Sequence, residues 1–408
     1  MRVGGWRGFP LYWTGRAASQ FGDEITILAV PWLVAEATAS PFAVGALQAF
    51  SLLPVVLFGF LLGALSDRRS RRRSMIETDV LRFVFLASLP IAVVIGVGTS
   101  ITHVLIVAFI AGGCRSLFEA SSHAFLVDLV PAKDIVVANA HMSFTEGIAI
   151  VAGPTVAGVL IATIGSSGAI VVDAATFLLS AATIALIYPV RERLEQTGRS
   201  LRAAARDGLH FMKDHRQVRA LTIVLSLANF GSGIFGGLIV LYFQQTLALE
   251  GWQAGLAYAA NGVGVVVASI LSVRFSRRLG FGRTVIIGLI STTAGVALFS
   301  IATSSTWVVS AAGGMAILGF GVTLSVIAST SLRQQVIPGE LLGRVTASYR
   351  IFVSGSMAVG ALAGGIIGEF AGVRAALIVG VLIYAFVAAF VFWTPLNEAD
   401  PVGVSPSA

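Results

Sequence analysis

Apolar runs of membrane-crossing length follow one another along almost the whole chain, separated by short polar intervals. A helix needs about 20 such residues to cross the hydrocarbon of a bilayer. On that measure the pattern predicts twelve spans, near 9–36, 42–65, 75–98, 102–130, 139–164, 168–188, 220–247, 252–274, 284–302, 306–332, 346–371 and 373–394. The longest polar interval, 189–219, falls at mid-chain, so the layout is six plus six. The expected architecture is an all-α membrane protein whose 12 transmembrane helices form two pseudo-symmetric six-helix bundles. The boundaries read as an N-terminal bundle over 1–188, a cytoplasmic amphipathic linker over 189–219, a C-terminal bundle over 220–394 and a cytoplasmic tail over 395–408. In the linker, Leu201, Ala205, Leu209 and Met212 share one side and arginines take much of the rest, the pattern of a helix lying on anionic headgroups.

Composition agrees with that pattern. Of 408 residues, 56% are hydrophobic and 12% charged, against roughly 25% charged in a soluble domain. The first apolar run carries Arg16, Asp23 and Glu24, so it reads as a permanent span rather than a cleavable signal. Placing the N-terminus in the cytoplasm puts 23 of the 27 basic residues inside and only Arg374 outside, with Arg16, Arg82 and Arg115 within spans. That asymmetry follows the positive-inside rule and predicts a multi-pass membrane protein with both termini cytoplasmic. It also accounts for the net charge of +7 without a nucleic-acid partner.

Several chemistries are excluded. The two lysines, Lys133 and Lys213, lie in no phosphate-binding G-x-x-x-x-G-K-[ST] loop, so energy must come from a gradient or another polypeptide. The single cysteine, Cys114, forms neither a C-x-x-C site nor an internal disulfide. The five histidines show no ligand spacing. No enzyme activity, cofactor or metal site is expected.

A shift of 207 residues overlays "VPAKDIVVANA" (130–140) on "IPGELLGRVTA" (337–347), and it brings Gly153 onto Gly360 and Gly158 onto Gly365. Two halves related in this way are a transporter architecture, with the binding site near the bilayer midplane. The densest positive stretch, "GALSDRRSRRR" (63–73), lies between two apolar runs. It contains Gly63, Asp67, Arg68, Arg71 and Arg72 at the spacing G-x-x-x-D-R-x-x-R-R, with Ser70 ahead of the last pair. "GPTVAG" begins at Gly153, continues through Pro154 and ends at Gly158. These stretches resemble the major facilitator superfamily over essentially the whole chain. "IPGELLGRVTA" and "VVDAATFLLSA" are similar to its branch of siderophore exporters and macrolide-efflux proteins.

The resemblance implies a cytosolic gate. Asp67 would face the start of the eleventh helix near Thr346–Ser348, where a helix dipole favours a carboxylate by about 0.3–1 kcal/mol. Arg72 or Arg71 would pair with Asp128 at the end of the fourth helix. Gly153, Pro154 and Gly158 would form the family's antiporter motif, although Ala157 replaces one of its glycines. In the fourth helix, Phe118 and Glu119 stand where the family carries glutamine and glycine.

Charges within spans are the remaining signal. One at the bilayer centre costs about 2.5–3.5 kcal/mol on the lenient insertion scale. Arg16, Gln20 and Asp23 share a helix face at i, i+4, i+7, and Arg115 lies one turn from Glu119. Asp79 and Arg82 read as a structural pair near the inner end of the third helix. A buried carboxylate separated from its cation takes up a proton. Asp23 is therefore the expected proton carrier, with Glu24 or Glu119 sharing the work and Arg115 tuning it. Gln20, Phe21, Phe118, Phe144, Asn229, Phe230 and Asn261 are the expected substrate-cavity residues. The expected partners are a small-molecule substrate, protons and the lipid bilayer, and the chain is expected to act as a monomer. The favoured function is proton-coupled efflux of amphiphilic drugs or siderophore-like metabolites by alternating access. A metabolite importer or facilitator on the same fold, and a non-transporting membrane sensor, remain open as alternatives.

Overall fold

The computed structural model describes residues 8–96, 98, 100–187 and 201–398. Twelve long helices carry the fold. They are α1 (Phe9–Thr38), α2 (Pro41–Arg68), α3 (Arg71–Val94), α4 (Ile101–Leu129), α5 (Ile135–Leu186), α6 (Leu201–Asp214), α7 (Arg216–Leu241), α8 (Gly251–Leu279), α9 (Phe281–Ser300), α10 (Gly313–Val336), α11 (Gly339–Ala371) and α12 (Val373–Phe390).

Local signals set their ends. Proline in the first turn opens α1, where a missing N–H costs nothing. The Ser70 and Ser100 hydroxyls accept the Arg73 and His103 amides and so cap α3 and α4. α5 is two spans joined without a break. At Gly165 the chain takes φ 76° and ψ 168°, a conformation only glycine adopts cheaply, and there the helix axis kinks. The fifth and sixth predicted spans are therefore one kinked element, and α6 is the linker helix.

Among the described residues, nine helices are long and apolar enough to cross a membrane, and one of them, spanning Ala132–Leu186, has 55 residues, enough for two crossings. α1 and α3 are not among the nine, although each exceeds 20 residues. Their polar and charged side chains depress their hydropathy, and those side chains build the site described below.

The chain divides into two compact units. The first takes α1, α2 from Phe50 onward, α3, α4, α5 and Glu250–Gly255 at the start of α8. The second takes Ser40–Ala49 at the start of α2, α6 from Arg202 onward, α7, the rest of α8 and α9–α12. These limits depart from a clean division at the linker, because the opening turns of α2 and α8 pack with the other half of the sequence. The repeat explains which residues allow it. In the first unit a Cβ at Gly158 would lie 2.4 Å from the Gly251 carbonyl and 2.9 Å from Gly255 Cα. In the second, one at Gly365 would lie 3.0 Å from the Pro41 carbonyl and 3.1 Å from Phe42 Cα. Positions 207 residues apart thus make equivalent close crossings, as small residues do between membrane helices.

In the second unit the linker helix packs through the side that carries Gly208 and Met212. Gly208 and Met212 are buried while Leu209 is exposed. A Cβ at Gly208 would meet the Arg344 carbonyl at 2.6 Å, and Asp207 pairs with Arg344 at 2.8 Å. α6 therefore docks on the start of α11.

Candidate functional site

The site begins with the small residues of α1. Gly15 and Gly22, two turns apart, bring α1 against α5 at Thr183 and Thr176. Close packing there buries the polar side chains between them: Ser19, Asp23 and Glu24 on α1, and Asp173 on α5. Gly153 does the same on the other limb of α5, where an added Cβ would lie 2.4 Å from Glu24 Cβ. The first glycine of "GPTVAG" thus makes room for Glu24.

Arg82 of α3 sits at the centre of the cluster, and its side chain is 3% exposed. Its Nη2 donates to Asp23 Oδ1. Nη1 donates to Asp79 Oδ1 at 3.5 Å and to Ser19 Oγ at 3.3 Å. The guanidinium carbon lies 4.1 Å from the Phe177 ring centre and 5.9 Å from that of Phe118. Cation–π attraction of this kind replaces part of the lost hydration. Arg115 of α4 is 41% exposed at its side chain. Its Nε lies 3.1 Å from Glu119 Oε1 and 3.9 Å from Asp23 Oδ2. Asp23 is therefore shared between two arginines, and Arg115 between two carboxylates. Thr26 donates its hydroxyl to Asp173 Oδ2.

Asp79 and Arg82 form the structural pair expected of them, at 3.5 Å, but their place at the centre of this cluster, and that of Asp173, is not in the sequence expectation. The expectation put Asp79 and Arg82 beside a loop, because the arginine-rich start of α3 was read as loop. The helix begins at Arg71, so Arg82 lies about 16 Å along it at 1.5 Å per residue. The available signal was Arg82 itself, the last charge before the apolar stretch 83–94.

A polar cleft opens below the cluster between α1, α4 and α5, with a volume of about 70 Å³, room for several waters. Tyr12, Arg16, Gln20, His123, Asn139 and Glu146 line it. Arg16 also lies over the Phe118 ring at 5.3 Å.

The other predicted residues distribute as follows. Arg71 pairs with Asp128 at 2.5 Å and donates to the Ala124 carbonyl at 3.3 Å. Arg72 instead donates to the Ile184 and Ala185 carbonyls at 3.1 and 2.6 Å, capping the end of α5. Gly63, Asp67 and Arg68 lie outside the residues whose side chains are described. Phe118, expected to line a cavity, is fully buried in the hydrophobic core of the first unit. Phe144 is 67% exposed and Phe21 half-buried. In the second unit Asn229 bonds its own helix at the Leu225 carbonyl and Asn261 donates to Met315 of α10. Phe230 is half-buried, with its carbonyl against Gly360.

A multi-pass helical chain holding clustered, paired charges within its spans has the construction of a secondary transporter. The chain belongs to the transmembrane secretion effector family of major facilitator transporters, whose profile matches residues 6–408. It adopts the major facilitator fold. It is 27% identical over 289 residues to the multidrug efflux pump Tap of Mycobacterium tuberculosis, covering 66% of this chain and 67% of that one. It is 21% identical over 378 residues to macrolide efflux protein A of Streptococcus pyogenes, with 90% of each covered. The solved nucleoside transporter NupG superposes with a TM-score of 0.80 over 96% of this chain and 100% of that one at 12% identity, a likeness of fold alone. These relatives are transporters and not enzymes.

Proposed function

We propose that this protein exports amphiphilic small molecules across the bacterial inner membrane in exchange for protons, by alternating access. The termini and the α2–α3 loop face the cytoplasm, and the chain works as a monomer. The observation that carries the reading is the sharing of Asp23 between Arg82 and Arg115. Four carboxylates, those of Asp23, Glu24, Asp79 and Asp173, are buried around these two guanidiniums. A low-dielectric interior does not hold that surplus of negative charge without a proton. A modest swing of Arg115 toward Glu119 would leave Asp23 with Arg82 alone, and the proton inventory would change with it. Efflux by Tap and by macrolide efflux protein A supports the direction and the lipophilic substrate class.

The energy suffices. One proton moving down about 100 mV releases ~2.3 kcal/mol, and one pH unit adds about 1.4 kcal/mol. Together they sustain a substrate gradient of a few hundredfold. Arg71 with Asp128, together with Asp67, would serve as the cytosolic gate.

The test is a proteoliposome assay with an imposed proton gradient and a panel of lipophilic dyes and macrolides. Protons and substrate exchange in the parent protein. Asp23→Asn transports down a substrate gradient but no longer responds to the proton gradient. If Asp23→Asn responds to the proton gradient as the parent does, the assignment of the carrier is wrong. If the parent itself moves substrate with no proton dependence, the coupling is wrong.

A further inference from the structure

The arginines Arg69 and Arg73 have no part in the site above, yet Arg69 lines a second feature and Arg73 is tied to it through Glu77. A groove of about 250 Å³ runs between α2, α3 and α4. Its walls are apolar, formed by Phe58, Leu62, Leu81, Phe109 and Leu117, with Arg69 and Glu77 at one end. Phe58 and Leu81 are 42% and 44% exposed, so the wall faces outward. Phe58 and Phe109 meet edge-to-face at 6.4 Å, which shapes its floor. From Pro54 to Arg69 the groove follows about 22 Å of α2 at 1.5 Å per residue. That length exceeds one leaflet of a hydrocarbon core about 30 Å thick.

The charge at the mouth is unbalanced. Arg69 and Arg73 both pair with the single carboxylate of Glu77, at 3.5 and 2.6 Å. Arg71 and Arg72 are turned elsewhere, to Asp128 and to the end of α5. The side chains of Arg69, Arg73 and Glu77 are 57%, 80% and 40% exposed. Ion pairs this open to solvent are weak, and another anion can displace them. The end of the groove at headgroup level is thus cationic and its length is apolar.

We propose that this groove binds an anionic phospholipid, with one acyl chain lying between α2, α3 and α4 and the phosphate against Arg69. Its capacity is below the roughly 300–1,000 Å³ of pockets that enclose a drug-sized ligand, which suits a chain laid along a wall better than an engulfed substrate. Basic pockets between membrane helices recognise acidic headgroups by the same chemistry. Arg69 and Arg73 then have a use beyond fixing which side of the membrane the start of α3 faces. The proposal does not depend on proton coupling or on the transported substrate.

The test is photo-crosslinking in nanodiscs with diazirine-tailed phosphatidylglycerol or phosphatidylcholine, the labelled peptides being located by mass spectrometry. Leu382 and Phe386 of α12, 62% and 57% exposed, report the general lipid annulus. Phosphatidylglycerol should label the groove peptides about fivefold more than phosphatidylcholine does, the effect of one basic residue near an anionic surface. At α12 the two lipids should label equally. Arg69→Gln should abolish the preference in the groove and leave α12 unchanged. Equal labelling of the groove by both lipids, or groove labelling no stronger than at α12, overturns the proposal. So does preferential labelling by a photoreactive lipophilic cation, which would give the groove to substrate.

Discussion

Replacing Arg82 with glutamine tests whether burial sets the strength of the central charge pair. Glutamine keeps much of the side-chain length and removes the charge. In the folded protein Arg82 is 3% exposed at its side chain and Asp23 6%, so neither group retains appreciable water. Removing one partner of a buried pair costs about 3–5 kcal/mol, because the other charge is left without compensation. Here two carboxylates, Asp23 and Asp79, lose their shared cation, and the stacking on Phe177 is lost as well. Arg115 contacts the same Asp23 at 3.9 Å but is 41% exposed. Its contact with Asp23 is longer and its side chain less enclosed, so Arg115→Gln should cost less than Arg82→Gln. Equilibrium unfolding in mixed detergent micelles, followed by circular dichroism, measures both. Adding Asp23→Asn to Arg82→Gln should recover part of the loss, since contacting residues couple by about 0.5–3 kcal/mol. Recovery is incomplete because Asp79 remains. If Arg82→Gln costs no more than Arg115→Gln, or if Asp23→Asn restores nothing, burial does not govern this cluster.

Two glycine substitutions probe how the site is assembled. Gly153→Ala places a methyl group 2.4 Å from Glu24 Cβ and should destabilise by about 1–3 kcal/mol in the same unfolding assay, with slower transport. Gly147→Ala, on the same helix with open space around it, should stay within about 0.5 kcal/mol of the parent. Gly165→Ala meets no neighbour but must hold φ at 76°, so it should cost about 1–3 kcal/mol through backbone strain alone. A parent-like Gly165→Ala protein would show that the kink relaxes elsewhere.

Much of the candidate site was visible one helix at a time. Asp23, Glu24, Arg115 and Glu119 stood out because ionisable groups are costly within spans, and the i, i+4 pair of Arg115 and Glu119 formed as its spacing suggests. Arg82 was hidden by two facts that hydropathy does not carry. One is the start of α3, where three consecutive arginines belong to the helix and not to the loop before it. The other is which way α3 turns its charged face, which depends on α1 and α5. The resemblance to the family left the partner of Asp128 open between Arg71 and Arg72. The choice falls to Arg71 because Arg72 points to the carbonyls that end α5.

The helical class and the membrane setting are already written in the chain, since both depend on apolar content summed over about 20 neighbouring residues. Which carboxylate meets which guanidinium was decided only by tertiary packing. Asp23 and Arg82 are 59 residues apart in sequence, and their pairing depends on the rotation and closeness of helices that glycines at 15, 22 and 153 allow. A sum along the chain carries no information about rotation, so that part of the protein exists only once the helices are packed.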